Sequence, residues 1–155
     1  MRVAQPLLLT EKGWRELQEE LLSLQRQRTT MMSEYMNAVE GGEQGDALAS
    51  GLRGDISSIN RRIAQLDEVL SRAVPVGPGD RVDGEVGVGS SVVVRWEDGQ
   101  EESYVIVGPP EVDLSTGRIS YESPVGRALM GSRAGRWVEV ETPGGVGRLF
   151  VVSAE

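Results

Sequence analysis

Three carboxylates fall within seven residues, Glu40, Glu43 and Asp46, spaced by Gly41, Gly42, Gln44 and Gly45. Carboxylate oxygens are hard donors suited to Mg²⁺ or Mn²⁺, and Mg²⁺ is commonly held by one or two of them together with phosphate and water. By residue type alone the same stretch is also ordinary turn chemistry, because Gly, Asp and Glu belong in exposed loops. The elements that carry the stretch bear on which reading holds.

Both flanks have heptad spacing. Trp14, Leu17, Leu21, Leu24, Arg28, Met31, Tyr35 and Ala38 step by three and four on one side. Ala49, Leu52, Ile56, Ile59, Ile63, Leu66 and Leu70 do so on the other. Each set forms one seam on a helix, and two seams joined by a short loop predict an antiparallel coiled-coil hairpin with the acids at its tip. Thr10, ahead of Glu11, is the expected N-cap. Gly51 and Gly54 each cost about 1 kcal/mol relative to Ala in a helix interior, so the half near the tip is expected to be softer than the base around Trp14, Leu17, Leu66 and Leu70. Arg26, Arg28, Arg53, Arg61 and Arg62 read either as a basic face toward RNA or a partner, or as solubilising charges on the coil.

Composition narrows the function classes. Without Cys or His, thiolate sites, disulfides and the commonest general base are excluded, which argues against an autonomous hydrolase. The net charge is −8, from 16 basic and 24 acidic residues, which argues against a simple nucleic-acid binder. There is no apolar run of membrane-span length and no signal-peptide pattern, so a cytoplasmic protein is expected, monomeric when free.

Val74-Pro75-Val76-Gly77-Pro78-Gly79 cannot continue a helix and reads as a linker. It divides a coiled-coil hairpin over 1–75, with its tip at 40–46, from a β-rich domain over 76–155. Beyond it, Ser91–Trp96 and Ser103–Val107 flank an Asp98-Gly99 step, a strong hairpin signal. A second hairpin spans Trp137–Glu141 and Arg148–Val152 around Thr142-Pro143-Gly144-Gly145. Between the two, Pro124–Leu129 predicts a short helix capped by Ser123 and stopped by Gly131. The fold class is α+β, with an antiparallel sheet and one short helix in the second domain.

The chain resembles the Gre family of bacterial transcript-cleavage factors and their inhibitory homologues. Leu9-Thr10, Gly13, Leu17, Glu20-Leu21 and Leu24 are similar to the family's opening pattern, and Arg62-Ile63, Leu70-Ser71 and Ala73 to the end of its second helix. Asp113, Ile119-Ser120, Ser123-Pro124, Arg127, Leu129, Gly131 and Thr142-Pro143-Gly144-Gly145 carry the strongest likeness. The resemblance implies an FKBP-like second domain without isomerase activity. That domain would dock on RNA polymerase at the secondary channel through Asp113, Ser123, Pro124, Arg127, Leu129 and Gly131. DNA would be met only indirectly, through polymerase. The coil would reach the catalytic Mg²⁺ or Mn²⁺ and the RNA 3′ end, so the chain would need no cofactor of its own and would not itself be an enzyme. Asp113, Ser123, Pro124 and Arg127 also have a structural reading, as cap and first-turn residues.

Cleavage factors of this family carry Gly-Asp-Leu-Ser-Glu-Asn-Ala-Glu-Tyr at the tip. Here Gly42-Glu43-Gln44-Gly45-Asp46 stands in its place, with the carboxylate lengths exchanged, and Ala47-Leu48-Ala49-Ser50 lacks the aromatic. Three glycines imply a mobile loop. The expectation is therefore a polymerase-binding factor that inhibits or pauses transcription, with Glu40, Glu43 and Asp46 directed at the polymerase metal. A transcript-cleavage factor is the alternative, and an FKBP-like peptide-binding or scaffold protein a remoter one.

Overall fold

A computed structural model describes residues 5–155. The elements run β1 (Leu7–Thr10), α1 (Glu11–Glu40), α2 (Asp46–Arg72), β2 (Ala73–Val76), β3 (Ser91–Trp96), β4 (Glu101–Val107), β5 (Arg118–Ser120), α3 (Pro124–Leu129), β6 (Trp137–Thr142) and β7 (Gly145–Ala154). Two compact units result: a helical arm, Trp14–Arg72, and a globular unit formed by the segment ending at Gly13 together with Ala73–Glu155.

In the arm, the 30 residues of α1 extend about 45 Å at 1.5 Å per residue. Buried and half-buried positions fall on the heptad seam: Ala49, Leu52, Ile56, Ile63 and Leu66 are buried on α2, and Ala38 on α1. Cross-helix pairs fix the antiparallel register, with Arg62 Nε 2.7 Å from Glu20 Oε1, Arg28 Nη1 donating to Asn60 Oδ1 at 3.3 Å, and Arg53 Nη2 donating to the Tyr35 hydroxyl at 3.1 Å. Arg28, Arg53 and Arg62 thus pair within the coil. Near the tip Ala38, Ala49 and Leu52 form a buried cluster against Met31 and Tyr35. Gly51 and Gly54 lie on the solvent side, where an added Cβ would meet nothing within 4 Å.

The boundary between units differs from the one expected at residue 75. β1 pairs with β2 in parallel, from Leu7 opposite Ala73 to Thr10 opposite Val76, so residues 7–10 belong to the globular unit. Parallel strands need a long crossover, and here the whole helical arm supplies it. The stretch expected to be a linker is therefore a strand followed by a 3₁₀ turn, Pro78–Asp80, closed by the Asp80 carboxylate accepting the Gly77 N–H at 2.9 Å. Gly77 is buried, and a Cβ there would come 2.5 Å from Glu11 Oε1.

The globular sheet has the order β5-β4-β3-β7-β6. It is mixed rather than wholly antiparallel, because β5 joins β4 in parallel through Val105–Arg118, Ile106–Ile119 and Val107–Ser120. The two hairpins form where Asp98-Gly99 and Pro143-Gly144 call for them, with Gly99 at φ +88°. Alternation buries Val92, Val94, Ile106, Val140, Leu149 and Val151 with Leu129 of α3 in one core. Leu9 of β1 is fully buried, and Gly108 lies so close beneath β1 that a Cβ would overlap the Leu8 carbonyl. No described helix is long and apolar enough to cross a membrane.

Candidate functional site

The arm's turn is built by its glycines. After Glu40 the Gly41 N–H donates to Ala38 O at 3.1 Å, closing α1. Gly42 takes φ +61°, a left-handed conformation that other residues adopt at a cost, and opens a 3₁₀ turn over Gly42–Gln44. Gly45 N–H donates to Gly42 O at 2.9 Å, and Ala49 N–H to Gly45 O at 2.8 Å. Gly45 is buried against α1, where a Cβ would overlap the Ala38 carbonyl. The mobile loop expected from three glycines is instead a closed turn, because two of them are demanded by φ or by contact.

The three acids stand on this turn, all exposed. Glu40 ends α1, Glu43 sits in the 3₁₀ turn, and Asp46 opens α2, where a negative charge suits the helix dipole. Among the described residues no three or more carboxylates group to hold a cation. Carboxylates exposed in this way can each contribute oxygen ligands to a cation.

In the globular unit, Asp113 caps the 3₁₀ turn Leu114–Thr116. Its carboxylate accepts the Ser115 N–H at 3.0 Å and the Ser115 hydroxyl at 2.5 Å. The bond from the Ser115 hydroxyl, and further bonds from this loop, hold its pKa below the usual carboxylate range. Ser123 caps α3, accepting the Gly126 N–H at 3.1 Å while donating to Ser120 O at 2.7 Å, and Pro124 occupies the first turn. Gly131 follows α3 at φ +77°, with its N–H on Val86 O at 2.8 Å. Leu129 is fully buried in the core, so its side chain is not a docking contact and that assignment is corrected. Pro124 and Arg127 are exposed, and Arg127 lines a depression of about 410 Å³ with Glu139 and Glu141.

Two residues beside Asp113 were not singled out from sequence. Leu114 is 78% exposed and Val112 42% exposed, an apolar pair on the capped loop. The available signal was an apolar residue immediately after a capping Asp, where a solvated turn would be polar.

Comparison with known proteins places this arrangement. "Transcription elongation factor GreA" of Chloroflexus aurantiacus is 41% identical over 152 residues, covering 95% of this chain and 96% of the relative. The chain belongs to the GreA/GreB family. The family profile described as transcription elongation factor, GreA/GreB, C-term, matches residues 81–155, which lie in the globular unit and include the Asp113–Gly131 segment. GreA of Nautilia profundicola is 38% identical over 144 residues, covering 89% of this chain and 87% of the relative. Among solved structures, GreA factor homolog 1 (Gfh1) of Thermus thermophilus is 28% identical, covers 97% of this chain and 99% of its own, and aligns with a TM-score of 0.44.

Proposed function

We propose that this GreA/GreB-family protein binds RNA polymerase through its globular unit and acts through the arm's tip, bringing Glu43 and Asp46 to the metal of the polymerase catalytic site. The observation that carries this reading is the closed turn. Gly45 packed on Ala38 leaves both carboxylates exposed, and among the described residues they do not gather with Glu40 into a metal-holding group, so a cation they bind would be held chiefly by another molecule. The reaction belongs to polymerase, and the chain is not itself an enzyme. Docking falls to the exposed members of the loop region, Pro124, Arg127, Val112 and Leu114, with Asp113, Ser123 and Gly131 shaping the backbone that presents them.

The outcome we favour is inhibition or pausing. Productive hydrolysis needs a metal–water pair held within about 0.5 Å, and this tip exchanges the lengths of both carboxylates and lacks the aromatic. A second reading is supported by the relatives, which are named as GreA elongation factors, one of them 41% identical. The closed turn also supplies preorganisation that a mobile loop would have withheld, which favours cleavage.

A stalled, backtracked elongation complex incubated with the protein decides between them on a sequencing gel. Slowed extension without short 3′ RNA fragments supports inhibition, whereas fragments released at the rate of a GreA factor establish cleavage. Glu43→Ala and Asp46→Ala should each weaken either effect while polymerase binding persists. A double alanine variant as potent as the parent chain would remove the tip from the mechanism.

A further inference from the structure

β2 takes one edge of β1. The N–H groups of Leu8 and Thr10, two residues apart on β1, end on side chains instead. Leu8 donates to the Tyr121 hydroxyl at 3.2 Å and Thr10 to Glu111 Oε2 at 3.0 Å. A backbone donor shielded from water needs a partner, and a segment remote in sequence supplies both.

Those two acceptors bracket the loop that presents Val112 and Leu114. Glu111 ends the 3₁₀ turn Pro109–Glu111, immediately before Val112. Tyr121 follows β5 and precedes Ser123, the cap of α3, by two residues. Between them Asp113 and Arg118 exchange backbone hydrogen bonds at 3.0 and 2.9 Å, and Arg118 Nη2 lies 3.6 Å from Glu111 Oε1. Both ends of the loop are therefore held by β1. Thr10 also works in the other direction, because its hydroxyl donates to Glu111 and accepts the Gly13 N–H at 3.0 Å, which caps α1. One hydroxyl serves the loop and the helix at once.

We propose that the loop over 112–118 and the first turn of α1 form one coupled element, with Thr10 and Glu111 as its positioning residues. Order in the loop favours the helix cap, and the cap favours order in the loop, since coupling between two sites acts equally in both directions. A partner seated on Val112 and Leu114 thereby firms the turn from which α1 starts. The coupling is internal to the globular unit, and only its use by polymerase rests on the docking proposed above.

Amide hydrogen exchange on the full chain tests the coupling from both ends. Asp113→Ala, which uncaps the loop, should accelerate exchange at Gly13 by roughly fivefold or more, the lower end of ordinary coupling between sites. Thr10→Val, which removes the shared hydroxyl, should accelerate Asp113 and Arg118 by a similar factor, and Thr10→Ser should restore them. Amides of the core strands, at Val94 and Val151, should keep the parent rates. Tyr121→Phe takes the acceptor from Leu8 and serves as a second variant should Thr10→Val unfold, with faster exchange at Asp113 and Arg118 again expected. Unchanged exchange at Gly13 in Asp113→Ala, or acceleration of Val94 and Val151 in step with the loop, would overturn the coupling. Affinity for core RNA polymerase then separates the two readings. Leu114→Asp and Thr10→Val should each weaken binding by roughly fivefold or more. Parent-like binding by Leu114→Asp would sink the docking assignment and leave the exchange result standing, whereas parent-like binding by Thr10→Val alone would show that polymerase does not use the coupling.

Discussion

The Glu111 carboxylate fills the space that a Cβ on Gly13 would occupy. With its side chain 3% exposed, it accepts the Thr10 N–H and the Thr10 hydroxyl, whose oxygen in turn caps α1 by accepting the Gly13 N–H at 3.0 Å. One buried acid thus satisfies β1, the Gly108 turn and the helix cap together.

Removing that acid leaves several donors unpaired. Glu111→Ala should cost about 3 kcal/mol of stability, since each orphaned buried group costs about 1–3 kcal/mol, and Glu111→Gln should cost less. Gly13→Ala should destabilise by about 1–3 kcal/mol through overpacking. Urea unfolding followed by circular dichroism measures all three. A neutral Glu111→Ala would show that the cluster is not needed.

The arm offers the opposite sign. Gly51→Ala and Gly54→Ala meet open space on the solvent side of α2, so each should stabilise the arm by about 1 kcal/mol, with the double variant near the sum. Thermal melting at 222 nm is the measurement, and a lowered midpoint would count against an exposed helical setting for these glycines.

Gly45→Ala should behave differently from both. The added methyl overlaps the Ala38 carbonyl, so the turn must open, and a loss of about 1–3 kcal/mol is expected. Hydrogen exchange at Gly41 and Ala49 should accelerate in this variant. Unchanged exchange would mean that the turn tolerates a side chain.

Tyr104 carries a pH dependence. Partial burial first, and then its hydrogen bond to Glu102, raise its phenol from 10.0 to about 12. The same carboxylate accepts the Trp96 indole N–H at 3.1 Å. The folded protein therefore keeps a proton that the unfolded chain releases. The contribution is intact below pH 10 and is lost as pH rises through 12. Absorbance titration at 295 nm should show one tyrosine ionising late, and Glu102→Gln should move it toward 10.

Legibility from sequence followed local chemistry. Heptad steps from Trp14 to Ala38 and from Ala49 to Leu70 are periodic enough to fix the seam, and Asp98-Gly99 announces its own turn. The β1–β2 pairing was not legible, because four-residue strands separated by the whole arm carry no period, and Pro75 argues against a strand. The same limit applied to β5, three residues long and parallel to β4. At the tip, residue type placed the acids on an exposed turn, but glycine was read as freedom where Gly42 and Gly45 are fixed by φ and by contact. Leu129 fitted a motif yet is core, since order along the chain does not reveal which face of α3 a residue takes.

The parallel pairing of β1 with β2 has a consequence for how the chain folds. Joining Thr10 to Val76 across an unstructured loop would carry a large closure entropy, which grows with the logarithm of loop length. A helical hairpin made from local contacts forms quickly and returns the chain to where it began, shortening that loop before the strands meet. The arm is therefore also a chaperone in cis for the sheet it interrupts: weakening its seam at Leu52 or Ile56 should slow refolding of the globular unit in stopped-flow Trp fluorescence, although neither residue belongs to it.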